Sequence, residues 1–163
     1  MSVVVGKRKP SSREVLILPD KIDDLLLRLM QQSFGVKDVD QFVRVQYAYG
    51  RIEKEDFPWY RYVMDDYKKK IHNSSMALAA YVTMADSIKY PISAEEIKTK
   101  RRNQDMAIAE CFEIKKHLMR IVDIFNVDVN KFSEPITAID REIGLIKKWR
   151  QRDNRLIARH KGA

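Results

Sequence analysis

Three histidines, one cysteine and several adjacent pairs of carboxylates are the side chains of this chain that could do chemistry. His72, His117 and His160 lie far apart and form no HxxxH or ExxH pair, so the usual spacing of metal ligands on a helix is missing. Adjacent carboxylates on a helix point about 100° apart and do not share a site. Cys111 lies among apolar residues and is predicted to be a buried apolar group. We therefore expect no metal, no cofactor and no catalytic centre.

Arg155 and His160 form the one pair whose spacing matches a catalytic motif. They fit the Arg-x4-His spacing of the metal-independent ribonucleases of the HEPN superfamily, which are helical bundles. With 14 arginines in 163 residues and three allowed spacings before each of the three histidines, about one such match is expected by chance. The pair also lies at the end of a predicted helix, where fraying would leave a general base poorly held. Metal-independent RNA cleavage is therefore kept only as an alternative function.

The positive charge of the chain is concentrated at its two ends. Residues 147–163 carry seven Lys or Arg and one acid, and residues 1–13 carry four basic residues and none, which leaves residues 14–146 at −2 of a total of +8. Such asymmetry is typical of proteins that associate with nucleic acid or another acidic surface. The alternative is a solvated tail that binds nothing.

A second basic cluster lies at the start of the third predicted helix, where cations are unfavourable because the helix N-terminus is already positive. Its members are Lys98, Lys100, Arg101 and Arg102. Trp149 lies on an apolar stripe and is predicted to be core, so no aromatic residues alternate with the charges for base stacking. We expect contact with phosphates without sequence readout. The candidate nucleic-acid-binding residues are Arg101, Arg102, Arg141, Lys147, Lys148, Arg150, Arg152 and Arg155.

These residues must be positioned by amphipathic helices, which the sequence indicates by apolar residues that recur with a helical period. After a predicted N-cap at Asp20, apolar residues recur at i, i+3, i+4 and i+7, and this first helix ends near 33–35. Residues 36–57 are interpreted as an insertion with a short helix. Phe57, Pro58 and Trp59 begin a second long helix, with proline tolerated in its first turn.

Capping and turn residues delimit the last two helices. Ser93 and Glu96 fit a capping box that begins a third helix of about 30 residues, roughly 45 Å long. Residues 126–130 form the next turn, and Pro135 lies near the start of a fourth helix. The chain is therefore predicted to be all-α: an up-and-down four-helix bundle with a short inserted segment after helix one and basic N- and C-terminal tails. The predicted divisions are a tail over 1–19, the bundle over 20–155 and a tail over 156–163.

The apolar residues also predict where the protein lies and how it assembles. No apolar run approaches the about 20 residues of a membrane-spanning helix, and the N-terminus does not have the order of a secretory signal, so we expect a cytoplasmic protein without a membrane partner. Some apolar residues lie off the main stripes and indicate a homo-oligomer. They are Leu27, Met30, Ile88 and Leu145.

Several short segments together resemble one bacterial family. They are Met1 to Val3, Gly6 to Arg8, Ser12 to Leu16, Thr83 to Pro91, and Ala138 to Arg150. With them the chain resembles the four-helix-bundle accessory proteins of diversity-generating retroelements, the accessory variability determinants, which are related in fold to the ribosomal-RNA intervening-sequence proteins. The similarity runs from about residue 12 to 155. The 36–57 insertion departs from the shortest family members.

The resemblance implies a non-enzymatic role and specific partners. It implies a pentameric ring with a basic surface that binds the reverse transcriptase, and that holds template RNA and cDNA during mutagenic retrohoming. The basic residues carried over by position are Arg101, Arg102, Arg141, Lys147, Lys148, Arg150 and Arg152. A protein-interaction bundle whose basic ends only keep it soluble is the alternative from a different class.

Overall fold

A computed structural model describes residues 14–36, 38–89, 91 and 93–162 of the chain. Within these ranges there are helices and no strand, which confirms the predicted all-α class. The helices are α1 (Glu14–Gln31), α2 (Val39–Ala48), α3 (Phe57–Ser87), α4 (Ala94–Phe125) and α5 (Ser133–Lys161). The four basic residues of the predicted N-terminal tail lie in the first 13 positions, outside the described residues.

The first and last helices of the chain, α1 and α5, are longer than the sequence indicated. α1 begins at Glu14, upstream of the predicted N-cap Asp20, with Pro19 buried inside it. Proline removes one helical hydrogen bond, but Val15 and Leu18 extend the buried stripe of α1 by another turn, and this packing holds the helix across the proline. At the other end α5 continues to Lys161, so most of the predicted tail over 156–163 is helical.

The inserted segment contains the expected short helix, α2. The backbone N–H of Asp40 donates a 2.8 Å hydrogen bond to Oδ1 of Asp38, which caps α2. The ring of Phe42 lies 5.9 Å from that of Tyr60 on α3 and 5.4 Å from that of Phe125 on α4. The insertion therefore packs on one end of α3 and α4 through aromatic rings.

The predicted helix ends are confirmed where the sequence carried specific capping chemistry. Pro58 lies in the first turn of α3. Ser93 and Glu96 form both hydrogen bonds of the capping box, each 3.1 Å long, at the start of α4. Asn126 ends α4 in the left-handed conformation, with φ at 50°. These local signals depend on a few neighbouring residues, so the sequence alone was enough to place them.

The four long helices pack around one core. α3 and α5 each contact both α1 and α4. Nε2 of Gln104 lies 3.1 Å from Asp153, and Nζ of Lys115 lies 2.6 Å from Asp140, so α4 and α5 run in opposite directions. Cys111 is fully buried, as predicted, and burial raises its thiol pKa to about 12.

Part of the predicted apolar surface is core instead. Met30 and Leu145 are both buried, because the core takes in a wider arc of α1 and α5 than the main stripes indicated. Leu27 is exposed and Ile88 is half-buried. The exposed side chains of Phe112 and Met119 on α4 now carry the prediction of self-association. Among the described residues, each helix is too short or too polar to cross a bilayer.

Candidate nucleic-acid interface

One face of α5 carries a stripe of basic side chains. At 100° per residue, its members lie within about 60° of one another around the helix, and from first to last they span about 27 Å along it. As far as Trp149 the opposite face of α5 is buried in the core, and all members of the stripe are exposed to solvent. We call this set the α5 stripe: Arg141, Lys148, Arg152, Arg155 and Arg159.

Most side chains of the α5 stripe form no ion pair in the described part of the chain. Within the described part of the chain, no hydrogen bond or ion pair engages the side chains of Lys148, Arg152, Arg155 or Arg159, and all four are exposed. Arg141 is the exception, because its Nε lies 2.5 Å from Oε1 of Glu14. The hydrogen bond from Arg141 lowers the pKa of Glu14, and the nearby charge of Lys148 also lowers it. Four cations that form no ion pair therefore remain on one helix face.

Two of the predicted binding residues lie off the α5 stripe. Lys147 is exposed, but it points about 100° away from Lys148. Arg150 faces α4, where it forms an ion pair with Asp105 and donates a 3.0 Å hydrogen bond to the carbonyl oxygen of Arg101. Arg150 therefore joins two helices and is not presented to solvent with the stripe.

The basic cluster of α4 divides into a buried residue and three exposed ones. Lys100 is only 4% exposed; its Nζ lies 3.3 Å from Asp153 and 5.1 Å from the centre of the Trp149 ring. Lys100 is therefore paired inside the protein and is not presented to solvent with the other three residues. Lys100 and Gln104 continue the helical spacing of the buried residues of α4, a pattern that the neighbouring charges obscured. Trp149 itself is buried, as predicted.

The exposed residues of that cluster line an open groove of about 610 Å³ between the start of α4 and the end of α5. Arg101 is oriented there by a 2.5 Å hydrogen bond from its Nη2 to Oδ1 of Asn154. Asp105 and Met106 also line the groove. We call this the α4 groove, and its basic residues are Lys98, Arg101, Arg102 and Lys161.

Sequence reasoning missed two basic residues that the structure adds to these surfaces. Arg159 follows Arg152 by seven positions and Arg155 by four, so helical spacing alone could have placed it on the α5 stripe. Lys161 reaches the α4 groove only because α5 continues to the end of the described chain. Both residues were missed because residues 156–163 were predicted to be a tail and not part of the helix.

The remaining titratable residues form no shared site. Arg155 and His160 are five residues apart on one helix and point about 140° away from each other. His117 stacks edge-on against Tyr67, and burial lowers its pKa. Over the ranges that the structure covers, no group of three or more His, Cys, Asp or Glu side chains could hold a metal ion.

Glu142 is a buried carboxyl group, although glutamate is ordinarily charged and exposed. It lies on α5 among core residues, fully buried, and neither carboxylate oxygen has a hydrogen-bond partner. Burial raises its pKa to about 8, and the charge of Glu14 contributes. Its position three residues after Ile139 and four before Ile146 would have placed it on the buried face. A fully buried side chain does not reach a substrate, so Glu142 affects the stability of the fold and not binding.

Comparisons with protein-family models, with curated proteins and with solved structures find no match to this chain. Its function must therefore be inferred from the geometry and charge of its two basic surfaces, together with the resemblance carried by the segments quoted above.

Proposed function

We propose that this protein binds nucleic acid by its phosphate backbone, with the α5 stripe as the main contact surface. The observation that carries the proposal is a set of four exposed cations that form no ion pair, held on one face of a helix. The other face of this helix is buried as far as Trp149 and half-buried beyond it at Asp153 and Ile157. Like charges at helical spacing repel one another, and a polyanion lying along the stripe removes that repulsion. Nothing in the fold of the monomer requires this arrangement.

The dimensions of the stripe suit a nucleic-acid strand. Along the axis of B-form DNA, about 27 Å contains about eight phosphates of each strand, which is more than the cations of the stripe can neutralise. Arginine presents several donors in a planar fork that pairs well with phosphate oxygens, and three of the four unpaired residues are arginines. No aromatic ring belongs to the stripe, so it reads charge and shape and not base sequence.

In its biological role, the protein is proposed to be a non-enzymatic accessory factor of a diversity-generating retroelement. This step rests on the family resemblance, which implies a reverse transcriptase as partner, template RNA and cDNA as ligands, and a pentameric ring. The long helices α1, α3, α4 and α5 would form the up-and-down four-helix bundle of that family. A reverse-transcriptase gene beside this one, and co-purification of the two products, would support the assignment; a gene neighbourhood without one would count against it.

The binding mode is tested by the salt dependence of affinity for a fluorescent RNA or DNA strand. If the four unpaired cations of the stripe neutralise about four phosphates, log K should fall against log salt with a slope of about −2.8 to −3.6, shallower for single strands. Glutamine at Lys148, Arg152, Arg155 and Arg159 should flatten this slope and leave thermal stability nearly unchanged, since exposed charges contribute little to folding.

A control variant of equal charge separates the stripe from net charge. It carries glutamine at four exposed basic residues elsewhere: Arg28, Arg44, Lys54 and Lys69. We expect the control to keep nearly the wild-type slope. Equal losses in the two variants would show that only the overall charge matters, and the stripe would then be no binding surface.

A protein-interaction bundle is the second candidate, and one observation favours it. Around the junction of α2 and α3, four aromatic side chains are exposed, with Tyr49 at 71% and Trp59 at 51%. Arg51 lies over the ring of Tyr49 at 5.3 Å. Tyr, Trp and Arg are enriched at the energetic centres of protein interfaces. Nucleic-acid binding that is absent, or that does not depend on salt, would favour this candidate.

A further inference from the structure

We propose that each chain holds two separate segments of nucleic acid, one on the α5 stripe and a second, single-stranded segment in the α4 groove. The protein would then join two strands within one subunit. This inference rests on the proposed function, because both surfaces are assigned the same ligand chemistry, the phosphodiester backbone.

The α4 groove has the charge to bind a phosphate backbone on its own. In the part of the chain that the structure describes, Lys98, Arg102 and Lys161 make no hydrogen bond or ion pair with their side chains. Arg101 bonds to the neutral amide of Asn154, which leaves its charge uncompensated. The acid at the groove, Asp105, is already paired with Arg150. The groove therefore presents four positive charges and no free carboxylate.

The groove rests on a polar network that fixes the start of α4 against the end of α5. Under it, Asp153 accepts hydrogen bonds from Lys100 at 3.4 Å and from Gln104 at 3.1 Å. Arg150 and Asn154 on α5 both bond to Arg101 on α4. Because its two walls are tied together, the groove is preorganised, and a ligand would not have to order it.

The part of the groove that α5 contributes faces away from the stripe. Lys161 follows Arg159 by two residues and therefore points about 200° around α5 from it. A straight strand lying along the stripe cannot reach residues on the opposite side of the same helix, whose diameter with side chains is about 10–12 Å. Two surfaces of this kind bind two segments and not one.

The chemistry of the groove favours a single strand. Met106 and Ile97 line it beside the cations, and an unpaired base can lie its apolar face on them while its phosphates meet Lys98 and Arg102. The paired bases of a duplex cannot make this contact. Holding two segments on one subunit would raise the local concentration of each around the other, as when a template and a second strand must be brought together.

The stoichiometry of binding tests the proposal. A short fluorescent oligothymidylate is titrated into the full chain at a protein concentration well above the dissociation constant. We expect two oligonucleotides per chain for the wild type, and one per chain after K98Q, R102Q and K161Q together. We also expect one per chain after glutamine replaces Lys148, Arg152, Arg155 and Arg159, and two in the control variant with glutamine at Arg28, Arg44, Lys54 and Lys69.

The outcomes separate this inference from the proposed function. One oligonucleotide per chain in the wild type, or two in the groove variant, would overturn the second site and leave the stripe intact. No binding by the wild type would instead overturn the proposed function. Photo-crosslinking of the same oligonucleotide with 4-thiothymidine gives an independent readout on the unmutated chain, because two sites require crosslinks in both the first turns of α4 and the stripe of α5.

Discussion

Replacing Glu142 with glutamine should make the protein more stable at neutral and alkaline pH. It should also remove the part of the pH dependence of the free energy of unfolding that Glu142 causes. The carboxyl group is fully buried without a hydrogen-bond partner, and its pKa is about 8 against a usual 4.5. Between these two values the folded chain keeps a proton that the unfolded chain releases. The contribution of Glu142 to the free energy of unfolding therefore falls as pH rises from about 4.5 to about 8 and is constant outside that window.

The magnitude follows from the pKa difference. One pKa unit corresponds to about 1.4 kcal/mol, so the Glu142 contribution falls by about 1.4 kcal/mol per pH unit within the window and by about 4 kcal/mol from about pH 5 to about pH 8. The groups near Glu142 do not offset this. Glu14 has the same sign of charge, and the Cys111 thiol, with a pKa of about 12, stays neutral. Arg141 is already paired with Glu14.

Urea unfolding followed by far-UV circular dichroism, at one protein concentration across this pH range, measures the effect. The quantity to compare is the difference in free energy of unfolding between Glu142→Gln and wild type. It should grow by about 4 kcal/mol from about pH 5 to about pH 8. Glu134→Gln, an exposed change on the same helix, should give a flat difference within about 0.5 kcal/mol. Parallel pH curves for Glu142→Gln and wild type would refute the reasoning.

Three further predictions concern stability and assembly. Gly144 lies inside α5, and a Cβ built on it meets no atom within 4 Å. Gly144→Ala should therefore raise the free energy of unfolding, measured in urea, by about 0.5–1 kcal/mol. A decrease would show that the site has no room for a methyl group. Lys100→Ala leaves Asp153 unpaired and mostly buried, so it should cost about 3–5 kcal/mol, whereas Lys98→Ala should stay within about 0.5 kcal/mol. Light scattering should report a mass several times 19.2 kDa, reduced by Phe112→Ser; a wild-type monomer at tens of micromolar would contradict the predicted oligomer.

The sequence was sufficient where structure is decided locally. The capping box of Ser93 and Glu96 and the proline in the first turn of α3 depend on residues a few positions apart. The sequence did not predict that helix α1 includes Pro19. The helix continues through the proline because it packs on α3 and α5, and no local sequence pattern shows this packing. The sequence also failed at Lys100, where the pairing with Asp153 joins residues 53 positions apart.

The candidate site was predictable in composition but not in arrangement. The basic character of α5 was evident from charge counting, and helical spacing could have separated the stripe from Arg150. That Lys98, Arg101 and Arg102 meet Lys161 in one groove depends on α4 and α5 packing antiparallel with their ends level. Such a juxtaposition follows from the tertiary structure alone.

The inward position of Asp153 affects how fast a ligand can bind. It is the one acid among residues 147–163, and its carboxylate is mostly buried against Lys100 and Gln104. No carboxylate of α5 thus competes with an incoming phosphate for Arg152, Arg155 or Arg159, and none of these arginines has to leave an ion pair first. Association at this end should be limited by electrostatic steering, with an on-rate that is high at low ionic strength and falls steeply as salt is added.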